Sequence, residues 1–383
     1  MSGLLWVQKW GCLFILTGIL FGLSACGSNE VDEEVTESDE EVELTTDLVF
    51  NNITLEQSDD QGALLWRMIA DRATYSQDRQ DAIIENPSGE IFQADDPPDQ
   101  ASFSVAAQEG EVRQNGERLF LKGDVIVTDE DTGAVIRGNE MRWIPEDNTI
   151  VLRGNVKANH PEFKMTAQRV IVWMDEDRVE IQGNVKAETT DASLLFNGEQ
   201  VDWFLAEERF ESDRPVRFQQ RDGETVVGRA QGNQVTYDIG TQIATLTDDA
   251  VVASQDPPIR VSGDALTWNR DENTVAASER VTVFHRVEKV TLVADEGVGT
   301  LDNQVFVMNG NVVVTAERNR ARLRSDDLTW TVPTQRVVAE GNVVYRQVDP
   351  IFNLTGPRAV GRLEDETIVV SGGRVVTEVI PDS

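Results

Sequence analysis

The stretch IVLRGNVKA (150–158) returns as VEIQGNVKA (179–187), with GNVKA identical, and looser copies of it recur along the chain. These copies are LFLKGDVIV (119–127), VFVMNGNVVV (305–314), VVAEGNVVY (337–345) and IVVSGGRVV (368–376). The central glycines Gly123, Gly154 and Gly183 recur at intervals of about 30 residues, a period typical of repeat architectures. In such folds each unit buries its apolar face against its neighbours.

Within each copy, apolar residues occupy alternate positions, which places them on one face of a β-strand. The glycine falls on that same face and permits a bulge or a sharp bend. We therefore predict an all-β fold: an elongated, twisted β-jellyroll or β-solenoid-like stack of roughly 30-residue repeats with an open apolar groove. The candidate groove-lining residues are Leu119, Leu121, Val125, Val127, Ile150, Leu152, Val156, Val179, Ile181, Val185, Phe306, Met308, Val312 and Val314.

A tryptophan series accompanies the glycine repeat. Trp143, Trp173 and Trp203 are evenly spaced at the same period as the glycines, and Trp268 and Trp330 follow at close to two periods each. These rings either form a core stack that defines the repeat, or line a groove and contact lipid or sugar. The core interpretation is favoured, since large aromatic side chains are mostly buried.

The N-terminus has the layout of a cleaved secretory signal. Residues 12–25 (CLFILTGILFGLSA) carry no charge and are too few to cross a bilayer as a helix. The sequence Leu23-Ser24-Ala25-Cys26 resembles the bacterial lipobox, which implies cleavage after residue 25 and lipidation of Cys26. The alternative is an uncleaved anchor helix. We predict a signal peptide over 1–25.

Residues 26–46 are predicted to form an acidic linker. Its segment EVDEEVTESDEEVE (30–43) contains nine acidic residues and no basic one, so it repels itself and extends. We interpret it as a spacer, and an acidic docking tail is the alternative. The whole chain has a formal net charge of −34, which disfavours nucleic acid as a partner.

Few residues suggest catalysis or metal binding. The chain has two histidines, His160 and His285, which lie far apart in sequence and are interpreted as ordinary side chains. Residues 129–133 (DEDTG) lack the spacing and the closing glutamate of a calcium loop, so we predict a hairpin turn. No cofactor, metal site or catalytic residue is expected.

A family resemblance emerges near the start of the repeats. Residues 64–92 contain Trp66, then Ala70-Asp71-Arg72-Ala73-x-Tyr75, and then Pro87 before another predicted strand. This order resembles the opening of the LptC family, and the LKGDV and GNV elements resemble LptC and its OstA-like relatives. The family-motif residues are Ala70, Asp71, Tyr75 and Pro87. The resemblance suggests an LptC-like β-jellyroll over 47–160 and further OstA/LptC-like repeats over 161–383.

This resemblance implies a non-enzymatic, membrane-anchored periplasmic component of lipopolysaccharide export. Such a protein accepts lipopolysaccharide from an inner-membrane ABC transporter with LptF/LptG-like subunits. It passes the lipid along its apolar groove, and its edge strands pair with an LptA-like bridge protein.

The chain departs from better-known members in two respects. It has a lipobox instead of a transmembrane helix, and it is longer. The family favours the inner membrane for the lipid anchor, and residues 27–28 leave the outer membrane open. The added repeats suggest the hypothesis that the chain forms part of the bridge. The alternative function is a β-solenoid scaffold or adhesin that binds protein or polysaccharide on its outer face, and an enzyme on a β-helix ranks third.

Overall fold

The computed structural model describes residues 48–59, 61–92, 100–348, 351–362, 367–372 and 376–379. The predicted signal peptide and acidic linker lie outside these residues, as does Cys26. The described chain is all-β, and its short 3-10 turns are Gln114–Gly116, Pro145–Asp147 and Met174–Glu176. No helix in these ranges is both long enough and apolar enough to cross a membrane.

Twenty-eight strands make up the described ranges. The first fourteen are β1 Val49–Ser58, β2 Leu64–Tyr75, β3 Ala82–Glu85, β4 Ser88–Ile91, β5 Phe103–Ala106, β6 Glu109–Arg113, β7 Arg118–Asp129, β8 Val135–Ile144, β9 Thr149–Asn159, β10 Phe163–Trp173, β11 Arg178–Thr189, β12 Leu194–Phe204, β13 Arg209–Ser212 and β14 Val216–Asp222. The others are β15 Thr225–Gly232, β16 Gln234–Asp238, β17 Ile243–Ser254, β18 Ile259–Asn269, β19 Thr274–Ala277, β20 Val281–His285, β21 Val290–Ala294, β22 Glu296–Thr300, β23 Val305–Ala316, β24 Ala321–Thr331, β25 Arg336–Val348, β26 Ile351–Arg362, β27 Thr367–Ser371 and β28 Val376–Val379.

These strands form one antiparallel sheet that follows the chain. Long strands pair with their sequence neighbours, as β7 does with β8 and β8 with β9. Elsewhere two short strands act as the halves of one interrupted strand, so that β5 and β6 both pair with β7. The result is an elongated β-jellyroll built from repeated, folded strands, as predicted from the sequence.

The glycine of each repeat marks a bend in its strand. In β9, Gly154 and Asn155 both have positive φ, at 78° and 51°, and the pairing with β8 shifts register around them. Glycine adopts this backbone region freely, and asparagine tolerates it better than most residues. Each long strand therefore folds at its middle, and the line of these bends is called the crease below.

Polar side chains fill the crease beside the repeat glycines Gly123, Gly154, Gly183, Gly310 and Gly341. A Cβ at Gly341 would collide with the carboxylate of Asp326, and Asn342 Nδ2 donates to Asp326 Oδ2 at 2.8 Å. The equivalent bond from Asn311 to Asp295 is 2.7 Å long. The crease is thus a ladder of side-chain hydrogen bonds, in which the glycine leaves the space that its partner occupies.

Backbone hydrogen bonds join successive repeats at the turns. The N–H of Thr190 donates to the carbonyl of Glu162, and the N–H of Arg221 to that of Ser193, both at 2.8 Å. The same bond, always between residues 28 apart, recurs at Glu130 to Ser102, Gln255 to Val227, Arg286 to Pro258 and Glu317 to Lys289. The donors Gln255, Arg286 and Glu317 follow one another at intervals of 31 residues, which agrees with the repeat period inferred from the glycines.

Two hydrophobic clusters share the interior. The first runs from Trp66 to Val201 and the second from Leu194 to Ala359, and Phe196 packs against both. The sheet and the first cluster continue through residue 160, where β9 pairs with β10. The division of the chain at 160 stays a prediction.

The tryptophan series is only partly a core stack. Trp143, Trp268 and Trp330 are at most 6% exposed, and each pairs across its hairpin with the residue seven positions later. Trp173 instead pairs with Arg178, five positions later, and its ring lies on the outer face under that guanidinium, 5.1 Å from Cζ to ring centroid. Its inclusion in the core was wrong, because a shift of one residue moves a side chain to the opposite face.

Candidate functional site

Folding at the crease brings the two ends of the strands towards each other. The space between the two halves of the folded sheet is the groove, and the line where strand ends approach is its mouth. At the N-terminal end the mouth is closed, because Trp66 Nε1 donates to the carbonyl oxygen of Gly116 at 3.1 Å across it. The interior beneath is filled by side chains, with Leu121 and Leu152 at 0% exposure.

An aromatic cluster closes the mouth further along. Phe163 lies at the start of β10, in one half of the folded sheet. Trp203, near the end of β12, and Phe210, in β13, lie in the other half. Ring centroids are 5.5 Å apart for Phe163 and Trp203, and 6.1 Å for Phe163 and Phe210. His160 stacks on Phe163 at 4.7 Å. Edge-to-face and tilted ring contacts at these distances are favourable, so this cluster holds the two halves together.

Beyond this cluster the groove opens into a cavity of about 450 Å³. It lies where the two hydrophobic clusters meet. Its wall is mainly apolar, and charged side chains stand among the lining residues from the turns. Apolar lining residues are Phe163, Met165, Ile181, Val185, Ala187, Leu194, Phe196, Val201, Phe210, Phe218, Val235, Tyr237 and Ile239. Apolar clefts of this size with a few polar groups are typical ligand sites.

One cation stands among three acidic side chains at this cavity. Arg270 lines it together with Glu162, Glu188 and Asp191, and Arg270 Nη2 donates to Ser193 Oγ at 2.7 Å. The pKa of Asp191 is lowered to about 2, first by the hydrogen bond from the Thr189 hydroxyl, then by those from Ser193, and also by the charge of Arg270. Asp191 is therefore ionised at neutral pH.

A second, more polar opening of about 330 Å³ follows, with Val227, Ser254, Trp268 and Asp302 among its lining residues. The mouth then closes again at His285 and Trp330, whose ring centroids are 5.5 Å apart. His285 is 5% exposed, and burial lowers its pKa. Its Nδ1 accepts the backbone N–H of Glu288 at 3.0 Å, a bond that needs the neutral ring. A smaller cavity of about 90 Å³ lies nearer the C-terminus.

Two known families match parts of this chain. Residues 13–190 match the family described as lipopolysaccharide-assembly, LptC-related. Residues 136–274 match the LptA/(LptD N-terminal domain) LPS transport protein family. Over these residues the chain is similar to LptC-related proteins and to the LptA/LptD N-terminal family. The resemblance seen in the Ala70–Tyr75 motif and the GNV elements is confirmed.

A solved structure of LptH from Pseudomonas aeruginosa is similar to part of this LptC-like chain. It is described as the LptA-homologous periplasmic component of the conserved lipopolysaccharide transport device. The identity is 12%, the similarity covers 37% of this chain and 79% of that one, and the TM-score is 0.18. The search of curated proteins found no match.

The side chains of the predicted groove residues all point to the interior of the folded sheet. Ile181 and Val185 line the 450 Å³ cavity, and Val314 lines the smaller one. Val179 is half-buried. Those that are at most 2% exposed within the packed core are Leu119, Leu121, Val125, Val127, Ile150, Leu152, Val156, Phe306, Met308 and Val312. Their contact with a ligand stays a prediction.

The sequence reasoning missed much of the cavity wall. Phe163, Phe210, Phe218, Tyr237 and Arg270 lie on strands or turns without the GNV element that guided the selection. The alternation in Phe163-x-Met165-x-Ala167 was a usable signal for an inward face. No local signal distinguishes Arg270 from other turn residues, because its role depends on the turn that faces it across the mouth.

The family-motif residues shape the first repeats. Ala70 is 1% exposed in the core. Asp71 Oδ2 accepts a hydrogen bond from Asn86 Nδ2 at 3.0 Å, which is the first rung of the crease ladder. Tyr75 meets Phe50 edge to face at 5.7 Å, and burial raises its pKa. The carbonyl of Pro87 accepts the N–H of Ala107 at 3.0 Å.

The acidic segment at 129–133 is a turn. Asp129 Oδ1 accepts the backbone N–H groups of Asp131 and Thr132 at 2.9 and 3.0 Å, and β7 and β8 flank the segment. The hairpin prediction is confirmed. Among the described residues, no group of three or more His, Cys, Asp and Glu side chains could hold a metal ion.

Proposed function

We propose that this chain carries lipopolysaccharide through the periplasm, with acyl chains held in the 450 Å³ cavity. A part in lipopolysaccharide transport accords with both matching families. The observation that carries the proposal is the cavity itself: its mainly apolar wall suits acyl chains, and Arg270, beside three carboxylates, is the one cation among its lining residues that could meet a headgroup phosphate. Burial of acyl methylenes contributes about 0.8 kcal/mol each, and the cation offers a charge-assisted hydrogen bond.

The sheet edges support the proposed partners. Within the described residues β1 pairs with β2 alone, and β28 pairs with β26 alone, so each end of the sheet presents unpaired backbone groups. Such edges add strands from other proteins readily. We propose that one edge pairs with LptF/LptG-like subunits of the transporter and the other with an LptA-like bridge protein.

The lipid anchor belongs to this proposal as well. Cys26 lies outside the described residues, and its lipidation is supported by the lipobox alone. A single Cys26→Ser substitution should release the protein from the membrane fraction, and mass spectrometry of the wild-type N-terminus should show the added acyl groups. Retention of the variant in the membrane fraction, with an unmodified wild-type cysteine, would rule the anchor out.

Photo-crosslinking from Tyr237 tests lipopolysaccharide binding. Tyr237 lines the cavity, so p-benzoylphenylalanine at this position keeps an aromatic ring in the wall and places its benzoyl group at the cavity. Its neighbour Thr236 lies on the opposite face of β16 and provides the matched control. We expect a lipopolysaccharide adduct from position 237 and none from 236.

Leu152 provides a second position for comparison of crosslinking, because its side chain is 0% exposed in the closed part of the core. Adducts at 236 as strong as those at 237 would contradict carriage in the groove. They would favour the alternative of a scaffold that binds polysaccharide on its outer face.

A further inference from the structure

A row of basic side chains crosses the outer face of the sheet, on the half of the groove that contains the ends of β9 and β11 near Asn159 and Thr189. All seven members are exposed, and none makes an ion pair within the part of the chain that the structure describes. We call this set the basic strip: Arg137, Lys157, Lys164, Lys186, Arg217, Arg229 and Arg260.

Strand register places these side chains together. Arg137 pairs directly with Lys157, and Lys157 pairs with Thr166, which pairs in turn with Lys186. Arg217 follows opposite Asn197, the partner of Lys186. The other three members form a parallel row two residues nearer the strand ends. In both rows the inward neighbours, such as Ala158 and Phe218, are buried, so the basic side chains point outward.

This arrangement is unusual for a chain with a net charge of −34. Several basic side chains elsewhere on the outer face have carboxylate partners: Arg67 Nε lies 2.6 Å from Glu56 Oε1, Arg178 Nη1 lies 2.9 Å from Asp202 Oδ1, and Arg358 Nε lies 3.0 Å from Glu340 Oε1. Within the two rows the acidic residue is Glu188, whose carboxylate is 3.9 Å from Arg221. Like charges directly opposite each other on neighbouring strands are destabilising. The strip therefore costs stability unless an anion binds it.

The shape of the strip decides between kinds of anion. It crosses nine successive strands from β8 to β18, which at about 4.8 Å per strand is about 40 Å, and it is only two rows wide. A sheet twists by roughly 20° per strand, so a face this long turns through a large angle. A flat bilayer would touch only a few of its strands, whereas a flexible linear polyanion can follow all of them.

The side chains between the basic residues narrow the choice further. Thr166, Asn197, Gln219 and Gln231 offer hydrogen bonds to a peptide backbone. No aromatic side chain points outward in these two rows from β8 to β18, so bases of a nucleic acid would find no stacking platform.

We propose that the basic strip binds an extended acidic segment of a partner protein. A segment of about 12 residues spans the strip at about 3.4 Å per residue. The binding is independent of the 450 Å³ cavity, since no member of the strip lines it; Arg229 alone also lines the 330 Å³ opening. Lipopolysaccharide carriage and peptide binding can therefore fail separately.

Fluorescence anisotropy of a labelled peptide of alternating Glu and Ser, about 12 residues long, tests this on the full chain. The strip variant is Lys157→Gln/Lys186→Gln/Arg217→Gln. The matched control is Arg79→Gln/Arg280→Gln/Arg320→Gln, which removes three exposed and unpaired charges from positions off the strip. We expect the strip variant to bind about tenfold more weakly, the control to bind as the wild type does, and affinity to fall with added salt.

Equal loss of affinity in the two variants would overturn the proposal, because it would show that net charge alone matters. Flotation with phosphatidylglycerol vesicles provides the other arm. Vesicle binding that depends on the strip, with no peptide binding, would assign the strip to a membrane surface instead. Unchanged binding of lipid A by the strip variant shows that the variant is folded and keeps the two functions apart.

Discussion

Arg270 donates a hydrogen bond to Ser193 across the groove mouth, over 2.7 Å from Nη2 to Oγ, although the two residues are 77 positions apart in the chain. Arg270 follows β18 and Ser193 precedes β12, so the bond joins turns on the two opposing halves of the folded sheet. It spans the rim of the cavity that we assign to acyl chains.

Replacement of Arg270 should separate charged from neutral ligands. We expect Arg270→Ala to weaken lipid A binding by about tenfold, because a charge-assisted hydrogen bond contributes about 1.5 kcal/mol or more. Binding of a neutral alkyl maltoside should stay unchanged, and Arg270→Lys should retain part of the affinity for lipid A. Titration calorimetry measures both ligands. Equal weakening for the two would indicate that Arg270 only supports the cavity wall.

Acidification should loosen the mouth at His285. Burial lowers the pKa of this ring, and Arg286 adds to the lowering while Glu288 opposes it. The unfolded chain therefore binds the proton at higher pH than the folded one. The stability that neutral His285 contributes is present above about pH 6.5 and is lost as the pH falls below it. The loss is about 1.4 kcal/mol for each unit by which the pKa values of the folded and unfolded states differ.

Urea unfolding between pH 7.5 and pH 5.5 checks this expectation. His285→Phe keeps a ring against Trp330 and cannot titrate, so its midpoint should fall less with pH than that of the wild type. The pKa of His160 is also lowered, mainly by burial, so some dependence on pH should remain in this variant. Identical slopes for the two proteins would exclude His285 as a source.

Two glycines with similar φ angles should differ in how much their replacement by alanine destabilises the protein. Gly341 has φ of 74° and lies against Asp326, whereas Gly133 has φ of 72° and no atom within 4 Å of an added Cβ. We expect Gly341→Ala to destabilise by about 1–3 kcal/mol, and by more than Gly133→Ala, which reports the backbone strain alone. Adding Asp326→Ala to Gly341→Ala should recover part of the loss. Thermal unfolding measures all four proteins.

The two faces of the sheet predict unequal effects of two tryptophan truncations. Trp143 is 1% exposed in the core, so Trp143→Ala should cost about 3–5 kcal/mol. Trp173 lies outside under Arg178, and its loss should cost about 1 kcal/mol, which is the range of a partly exposed cation–π contact. Similar losses for both would contradict the assignment of Trp173 to the outer face.

The repeat and its alternating apolar pattern were enough to predict an all-β stack, because period and alternation are local properties of the chain. The position of Trp173 was misjudged although the sequence held a warning. Trp173 stands one position closer to the next repeat glycine, Gly183, than Trp143 and Trp330 stand to theirs. In a hairpin that difference exchanges the two faces.

The cavity was less predictable. Leu152 and Ile181 occupy equivalent positions before their glycines, yet one is sealed in the core and the other lines the cavity. The difference arises from contacts across the mouth, such as those of Phe163 with Trp203, which join distant parts of the chain. Those contacts depend on how the folded halves approach each other, and no single strand encodes that distance.

The turn-to-turn bonds between residues 28 apart have a consequence for the ancestry of the chain. Each bond needs only the backbone of one unit and the backbone of the next, so duplication or deletion of a whole unit regenerates the same bond at the junction. A second row of turn-to-turn bonds tolerates small changes within a unit, since Leu205 bonds to Asp177 over 28 residues and Ile239 bonds to Glu208 over 31. Length can therefore change by whole units without loss of these bonds, and the number of units sets the distance between the two sheet edges.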